Sequence, residues 1–317
     1  MADLRKDVKK KKWRETAFVW GMLAWPLLMW ALNYVYVNSS SIILAFQRVD
    51  SNYVYHWNGL ENFKMAFENL KDGGAVLTIG VINNLKLFFW TFIIGFPLNM
   101  LFSYYLFKQK LGHQAVRFIV MTPSLLSGMV VSLLFLKFCE TALPEIVMKL
   151  FNIKIGNLLR QETTAIPTII FYTLWTGFTT SLIYYPNAMN AIDNSLLESA
   201  MMDGATALQE LRHIILPLIH PTIMTLIVTN LPAILTNAGP LFAFYYRDAP
   251  PYAMTMGYYL FTETLYGEGV FGYPYLSALG FMLSAVTLPI VFFGKWLFEI
   301  TDPMREKEVK RCKKVVA

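Results

Sequence analysis

The chain has 317 residues, 56% of them hydrophobic and only 15% charged, with a net charge of +6. Soluble domains carry roughly a quarter charged residues, so this composition excludes a string of ordinary water-soluble domains and points to a bundle whose main solvent is lipid. The positive charge is not spread like a nucleic-acid groove: seven Lys/Arg (Arg5, Lys6, Lys9 to Lys12, Arg14) lie in the first 14 residues and seven more from Lys295 onward, beside apolar runs, as cytoplasmic membrane anchors do.

Six intervals contain no Asp, Glu, Lys or Arg: 16–47, 87–107, 118–136, 163–192, 213–246 and 269–294. A helix rises about 1.5 Å per residue, so roughly 20 residues cross a hydrocarbon core. Trimming polar ends predicts transmembrane helices over 17–37, 81–106, 117–137, 165–186, 214–236 and 274–297. The first follows a basic start, as in a secretory signal. It runs on into Asn33, Asn38 and Ser39 to Ser41 without a small-x-small cleavage pattern, so it reads as a retained span. Residues 48–75 mix aromatics with charge, predict a short helix over 60–70 and end in Gly73-Gly74. A second short helix is expected in 138–163, near Pro144, and loops with short helices over 239–273, which is rich in Gly and Pro. Pro26, Pro97, Pro123, Pro232 and Pro289 lie inside spans, where neighbouring helices can satisfy the freed carbonyls.

With the N-terminus in the cytoplasm, the inner segments hold 18 of the 27 Lys/Arg and the outer segments 7. This bias places both termini inside. Lys86 and Lys137 lie at the outer ends of spans two and three, and Lys137 is long enough to snorkel. Cys139 and Cys312 then fall on opposite sides of the membrane, which excludes an intrachain disulfide. The expected organisation is a basic cytoplasmic N-terminus (1–16), a first transmembrane helix (17–37), a transmembrane core (75–300) with a cytoplasmic insert at 187–213, and a basic cytoplasmic C-terminus (301–317).

The insert is neither span-like nor featureless. Leu197, Met201, Leu208 and Leu211 fall on one helical stripe, with Ser199, Asp203, Gln209 and Glu210 mostly off it. Asp193 or Asn194 can cap the helix, and Gly204 marks a tight turn or a close approach. A lipid-surface helix is normally basic on its polar face. This one carries Glu198, Asp203 and Glu210 against Arg212 alone, so its apolar stripe calls for a protein socket.

The run Glu198-Ser199-Ala200-Met201-Met202-Asp203-Gly204-Ala205, followed by Leu211, Ile214, Leu216-Pro217 and Pro221, closely resembles the "EAA" signature of permease subunits of binding-protein-dependent ABC importers. Ser199 replaces the first alanine, and Leu211 takes a usually aromatic position. The Asp-Gly-Ala form and the closing Leu-Pro resemble the carbohydrate branch, of maltose and oligosaccharide type. The resemblance spans about 75–300 and is weaker over 138–186 and 237–273, which leaves the substrate more open than the class. It implies an all-α polytopic bundle of six transmembrane helices, of the type I ABC importer permease kind. It also implies that the insert is a coupling helix docking into a cytoplasmic ATPase, with Asp203 and Gly204 leading and Glu198, Ala200, Ala205 and Leu208 supporting. The implied partners are two ATPase subunits, a second permease forming a heterodimer, an extracytoplasmic solute-binding protein and membrane lipid, with no nucleic acid. The permease itself would catalyse no covalent chemistry and bind no cofactor; ATP and Mg would sit on the ATPase.

Polar residues at membrane depth are candidates for a substrate pathway: Asn84, Asn99, Ser124, Ser127, Thr176, Thr180, Thr229, Asn230, Thr236 and Asn237, with Asn99 and Asn230 reading as most buried. Tyr104, Trp175, Phe178 and Tyr184 offer aromatic platforms. The leading set is Asn99, Tyr104, Trp175, Tyr184, Asn230 and Asn237, although Asn, Ser and Thr also serve helix–helix hydrogen bonding. No span holds a central carboxylate, the four histidines have no metal spacing, and there is no glycine-rich phosphate loop. A secondary carrier or channel for a small polar solute is the competing reading.

Overall fold

A computed structural model describes residues 2–71 and 76–302, without the side chains of 2–12 and of Arg14. Gly73-Gly74, Cys312 and the basic tract beyond Asp302 lie outside the described residues, as do the side chains of most of the N-terminal basic cluster. The chain divides into two units, one holding the residues up to Phe67 with Glu268–Met282, the other Glu68–Gly267 and the residues from Leu283.

In the first unit a helix (α1) runs over 2–45, with a π-helical segment at Ala31–Tyr36. Its apolar part, Glu15–Ala45, is 31 residues long. The predicted end near residue 37 is therefore too early. The polar run does not break the helix because its side chains bond back one turn: Asn33 Nδ2 donates to the Met29 carbonyl at 2.9 Å and Ser39 Oγ to that of Val35 at 2.6 Å. Beyond it come two short antiparallel strands, β1 (Gln47–Val49) and β2 (Tyr55–Trp57), a hairpin the sequence reading did not anticipate. Asp50 closes the turn: its Oδ1 accepts the backbone N–H groups of Asn52 and Val54, and its Oδ2 lies 2.9 Å from His56 Nε2. The Val54 N–H bond, then the His56 ring, hold its carboxyl below the ordinary value. Helix α2 (Glu61–Lys71) lies close to the predicted 60–70. Buried Asn62 donates to the carbonyls of Ala45 and Gln47, tying α2 to the hairpin.

The second unit is a helix bundle. Its longest helices, α3 (Val76–Phe107) and α6 (Glu162–Asn190), pack along each other. Between them in sequence, the third predicted span is not one straight helix. It consists of α4 (His113–Leu125) and α5 (Gly128–Phe151), bent by 102°. Leu126 (ψ 156°) and Ser127 (ψ 132°) are extended and interrupt the hydrogen-bond ladder. The Val131 N–H then restarts it on the Ser127 carbonyl. Residues 143–151 form the helix expected beside Pro144. Lys137 pairs with Glu140 at 2.7 Å.

Span five starts later than predicted. The chain is π-helical over Leu211–Ile215, turns at Ile219, and enters α9 (His220–Asn230) and α10 (Ala233–Thr236). It then breaks at Asn237-Ala238-Gly239-Pro240. Short helices α11 (Leu241–Tyr245) and α12 (Met256–Tyr266) follow, as expected for that region, before α13 (Tyr273–Ile300). Among the described residues five helices are thus long and apolar enough to cross a membrane, and six spans result when the bent pair counts as one.

Two adjacent asparagines near the start of α3 hold the loops after span five. Asn83 Nδ2 donates to the carbonyls of Tyr252 and Met254, both at 2.9 Å. Asn84, only 1% exposed, accepts the Met256 N–H at 3.0 Å and donates to the Asn237 carbonyl at 3.4 Å. Gly80, one turn earlier, lets the Met256 backbone approach: a Cβ there would meet its N at 3.3 Å. Asn84 is therefore a packing residue, not an open pathway group. Asn84→Ala strands the buried Met256 N–H, and the expected loss is about 1–3 kcal/mol. A clearly lowered unfolding midpoint in mild detergent is the measurement that checks it.

Candidate functional site

The insert folds as two short helices joined by a tight turn. Helix α7 (Asn194–Met202) is capped by Asp193, whose Oδ1 accepts the Ser195 N–H at 3.0 Å. The turn is a Schellman closure: the Gly204 N–H donates to the Met201 carbonyl at 3.1 Å and the Ala205 N–H to that of Ala200 at 3.0 Å. Gly204 has φ +74°, the left-handed conformation that glycine enters without a Cβ penalty. Helix α8 (Ala207–Glu210) then opens with a capping box between Thr206 and Gln209.

The predicted stripe is split within each helical segment: before the turn Leu197 is buried and Met201 exposed, and after it Leu208 is exposed and Leu211 buried. Leu197, Ala200 and Leu211 are buried, and Leu197 and Leu211 pack with Met100, Tyr185, Met189 and Ile215. Met201 and Leu208 face outward, as a docking stripe requires, whereas Leu197 and Leu211, expected beside them, turn onto the bundle. Met202 is 88% exposed and Leu208 69%. Glu198, Asp203 and Gly204 are also exposed, while Ala205 is half-buried. The insert is therefore a knob with one face on the bundle and an apolar ridge on the other.

Glu210 is the second departure. Expected on the polar face, it is 4% exposed, with Oε1 2.6 Å from Lys108 Nζ. Lys108 follows α3 directly, and its ammonium also lies over the rings of Tyr104 and Phe107, at 5.8 and 5.6 Å. The Tyr104 hydroxyl interacts with the same carboxylate. The pair cross-links the end of α3 to the knob. Sequence reading missed it because both residues lie next to uncharged spans in loops more than 100 positions apart, with no local spacing to join them.

Within the predicted spans the bundle lines a half-open cavity of about 300 Å³ between α3, α6, α9 and α10. Asn99, Asn230 and Asn237 of the predicted set line it, as do Thr180 and three phenylalanines not singled out from the sequence: Phe88, Phe92 and Phe96. Their i, i+4, i+8 spacing was a readable signal. Asn230 was expected to be buried; it is exposed and its Nδ2 bonds the Leu226 carbonyl at 2.7 Å. The other three predicted residues are elsewhere. Tyr104 packs at the base of the knob. Trp175 sits against Phe135 and Tyr172, and Tyr184 is exposed. A second cavity of about 590 Å³ follows the bend at Ser124 to Gly128 and the break at Asn237 to Pro240, and shares Thr173 and Asn237 with the first. Among the described residues no three His, Cys, Asp or Glu side chains converge as metal ligands would.

This architecture has solved counterparts. A bacterial ABC transporter involved in the import of the acidic polysaccharide alginate superimposes with a TM-score of 0.74 at 24% identity, covering 94% of this chain and 99% of that one. The bacterial alginate ABC transporter in complex with alginate pentasaccharide-bound periplasmic protein gives 0.76 at 23% identity, covering 92% and 98%. The fold is that of an ABC importer permease. The chain belongs to the family described as binding-protein-dependent transport system inner membrane component, whose model matches residues 91–307. It is a multi-pass membrane permease. Similar proteins include the arabinooligosaccharides transport system permease protein AraP of Bacillus subtilis, 22% identical over 271 residues and 83% of each chain. Another is the multiple sugar-binding transport system permease protein MsmF of Streptococcus mutans, 26% identical over 228 residues, 71% of this chain and 76% of that one.

Two outcomes test the knob's anchoring. Lys108→Met leaves the buried Glu210 carboxylate without its cation and is expected to cost about 3–5 kcal/mol, whereas Glu210→Leu leaves the Lys108 ammonium, which is partly exposed and can reach water, and should cost less. The double variant recovers most of this, read as unfolding midpoints; simple additivity would show that the two groups do not interact. At Asp193 the cap holds the carboxyl below its ordinary value, chiefly through the Ser195 N–H. Its stabilisation is therefore full above about pH 4 and is lost as pH falls through the lowered value. Asp193→Asn removes that acid dependence, read as hydrogen exchange at the Ser195 amide.

Proposed function

We propose that this permease forms half of the translocation pathway for a sugar or oligosaccharide, and that the knob at 187–213 couples it to a cytoplasmic ATPase. The observation that carries the reading is the knob's outward apolar ridge, Met201, Met202 and Leu208, on a segment whose other face is fixed by Leu197, Ala200, Leu211 and the Lys108–Glu210 pair. An apolar ridge held that rigidly outward is suited to a socket on a second protein. Exposed Glu198 and Asp203 beside it disfavour an anionic lipid surface. Asp203 and Gly204 lead the coupling surface, with Glu198, Ala205 and Leu208 supporting it; Ala200, expected among them, is buried and holds the knob from its inner face.

The assembly in this reading contains two ATPase subunits that hold ATP and Mg, a second, different permease, and an external solute-binding protein. Both termini are cytoplasmic, and 75–300 is the functional core. This chain does no covalent chemistry; closure of the ATPase pair moves the knob, and α3 carries that movement to the cavity through Lys108. The names of AraP and MsmF support a saccharide cargo.

Purification through a tag on this chain, in mild detergent, is expected to recover an ATPase and a second multi-span protein. Recovery of neither would favour a carrier or channel instead. Gly204→Trp separates folding from coupling. A Cβ there meets nothing within 4 Å, and the left-handed backbone costs about 1–2 kcal/mol. The variant should insert with normal yield and lose solute-stimulated ATP hydrolysis; undiminished stimulation would count against the coupling role.

A further inference from the structure

The cavity of about 300 Å³ lies between two walls that are held together separately. One wall is α3 with α6. Gly95 of α3 lets these helices close up, since a Cβ there would meet the Leu174 side chain at 3.0 Å. The knob belongs to this wall: Lys108 pairs with Glu210, and buried Leu197 packs with Met100 of α3 and with Tyr185 and Met189 of α6. The other wall is α9 with α10, tied to the end of α13. At the start of α9, His220 Nδ1 lies 3.7 Å from Asp302 Oδ1. At its end, the Leu231 side chain occupies the space that a Cβ on Gly294 would need. The two ties stand roughly 16 Å apart along α9, enough to fix its direction against α13.

The walls are joined at both ends, but differently. Away from the knob, Asn84 of α3 donates to the Asn237 carbonyl at 3.4 Å. There Gly257 of α12 packs so closely on residues 236–238 that a Cβ would meet the Ala238 N at 2.6 Å. At the knob the join is the chain itself, residues 211–219, and it is irregular throughout. Leu211–Ile215 is π-helical, and Ile219 leaves the helix with φ −91° and ψ 6°. Pro217 and Pro221 bring no N–H to the ladder. Prolines and π-bulges are where helices bend. Across this join the knob and α9 share only an aliphatic cluster, with Leu197 and Leu211 on one side and Ile219 and Ile223 on the other. Such contacts are non-directional and can slide.

We infer that residues 211–219 are a hinge and that α9 is a strut pivoting on its far end, so that displacement of the knob changes the width of the cavity from the knob side. The inference rests on the coupling role proposed for the knob. The knob takes α3 and α6 with it, through the Lys108–Glu210 pair and its direct connection to α6, while α9 stays with α13. Asn84 and Gly257 hold the two walls together at the far end. Relative displacement therefore grows toward the knob, where Asn99, Tyr185 and Leu226 line the cavity. A knob fused rigidly to α9 would carry both walls together and leave the cavity unchanged.

The test uses the complex purified through a tag on this chain, in lipid nanodiscs, with spin labels on pairs of introduced cysteines in a Cys312→Ser background; Cys139 is buried. Asn194, Lys110, Thr225 and Lys295, all exposed, mark the knob, the chain just past α3, α9 and α13. Distances are read by pulsed electron resonance without nucleotide and with ATP and vanadate. The Asn194–Thr225 distance is expected to change by at least about 3 Å, while Asn194–Lys110 and Thr225–Lys295 hold within about 1 Å. Pro217→Ala with Pro221→Ala returns two N–H groups to the ladder and should shrink the Asn194–Thr225 change at normal yield. An undiminished change in that variant would overturn the hinge assignment. A constant Asn194–Thr225 distance with intact solute-stimulated hydrolysis would mean that the knob and α9 move as one block, which overturns the inference and leaves the coupling role standing. A change within either pair expected to hold would also overturn it. No response in any pair, together with undiminished stimulation in Gly204→Trp, would sink the coupling reading and the inference with it.

Discussion

Backbone amides in a lipid core have no water to bond, so each must be satisfied within its own helix or by neighbouring protein. That constraint organises this chain. It accounts for the long uninterrupted helices, and for the polar side chains of Asn33 and Ser39 turning back onto their own helix. It also decides where helices can stop. The breaks at Leu126-Ser127 and after Thr236 both border the same 590 Å³ cavity. Asn237 shows how the freed groups are used: its Oδ1 accepts the Gly239 N–H at 2.8 Å, and its carbonyl accepts Asn84.

The two ends of α3 show what such a helix can transmit. At one end, Asn83 and Asn84 hold the loops that follow span five. At the other, Lys108 is locked to Glu210 in the knob, and Phe88, Phe92, Thr91 and Asn99 line the cavity between them. A rigid helix pinned at both ends cannot move one end without displacing the other. Removing Lys108 is costly because the Glu210 carboxylate stays buried; the pair's value is therefore in specifying one docking geometry for the knob rather than in net stability.

The knob combines two surfaces of opposite purpose within about a dozen residues. A continuous helix through 194–211 would have placed Leu197, Met201, Leu208 and Leu211 on one side. The Schellman turn at Gly204 joins two helical segments that each lay one side on the bundle: Leu197 and Leu211 are buried, while Met201, Met202 and Leu208 face away. A non-glycine residue would strain that turn without clashing, which makes Gly204 a choice of backbone geometry rather than of packing space.

Charge-free intervals, the basic clusters and the Glu198-to-Pro221 signature were enough to read a six-span membrane bundle of this permease family with a folded insert before span five, because lipid solvation and the motif's turn chemistry act on consecutive residues. The short helices near residue 60 and Pro144 were legible for the same reason. What the sequence could not reveal depends on residues far apart in the chain. Periodicity assumes one unbroken helix, so it missed the bend at Leu126-Ser127, and it does not tell which residues of a stripe the bundle covers, so Leu197 and Leu211 were read with Met201 and Leu208 on the docking face. The Lys108–Glu210 pair, the Asn84 clamp, the seating of Tyr104 under the knob and the choice of Asn99 over Trp175 as a cavity residue were all decided by packing. Side-chain direction in a bundle is set by neighbouring helices, and one helix's sequence does not contain its neighbours' positions.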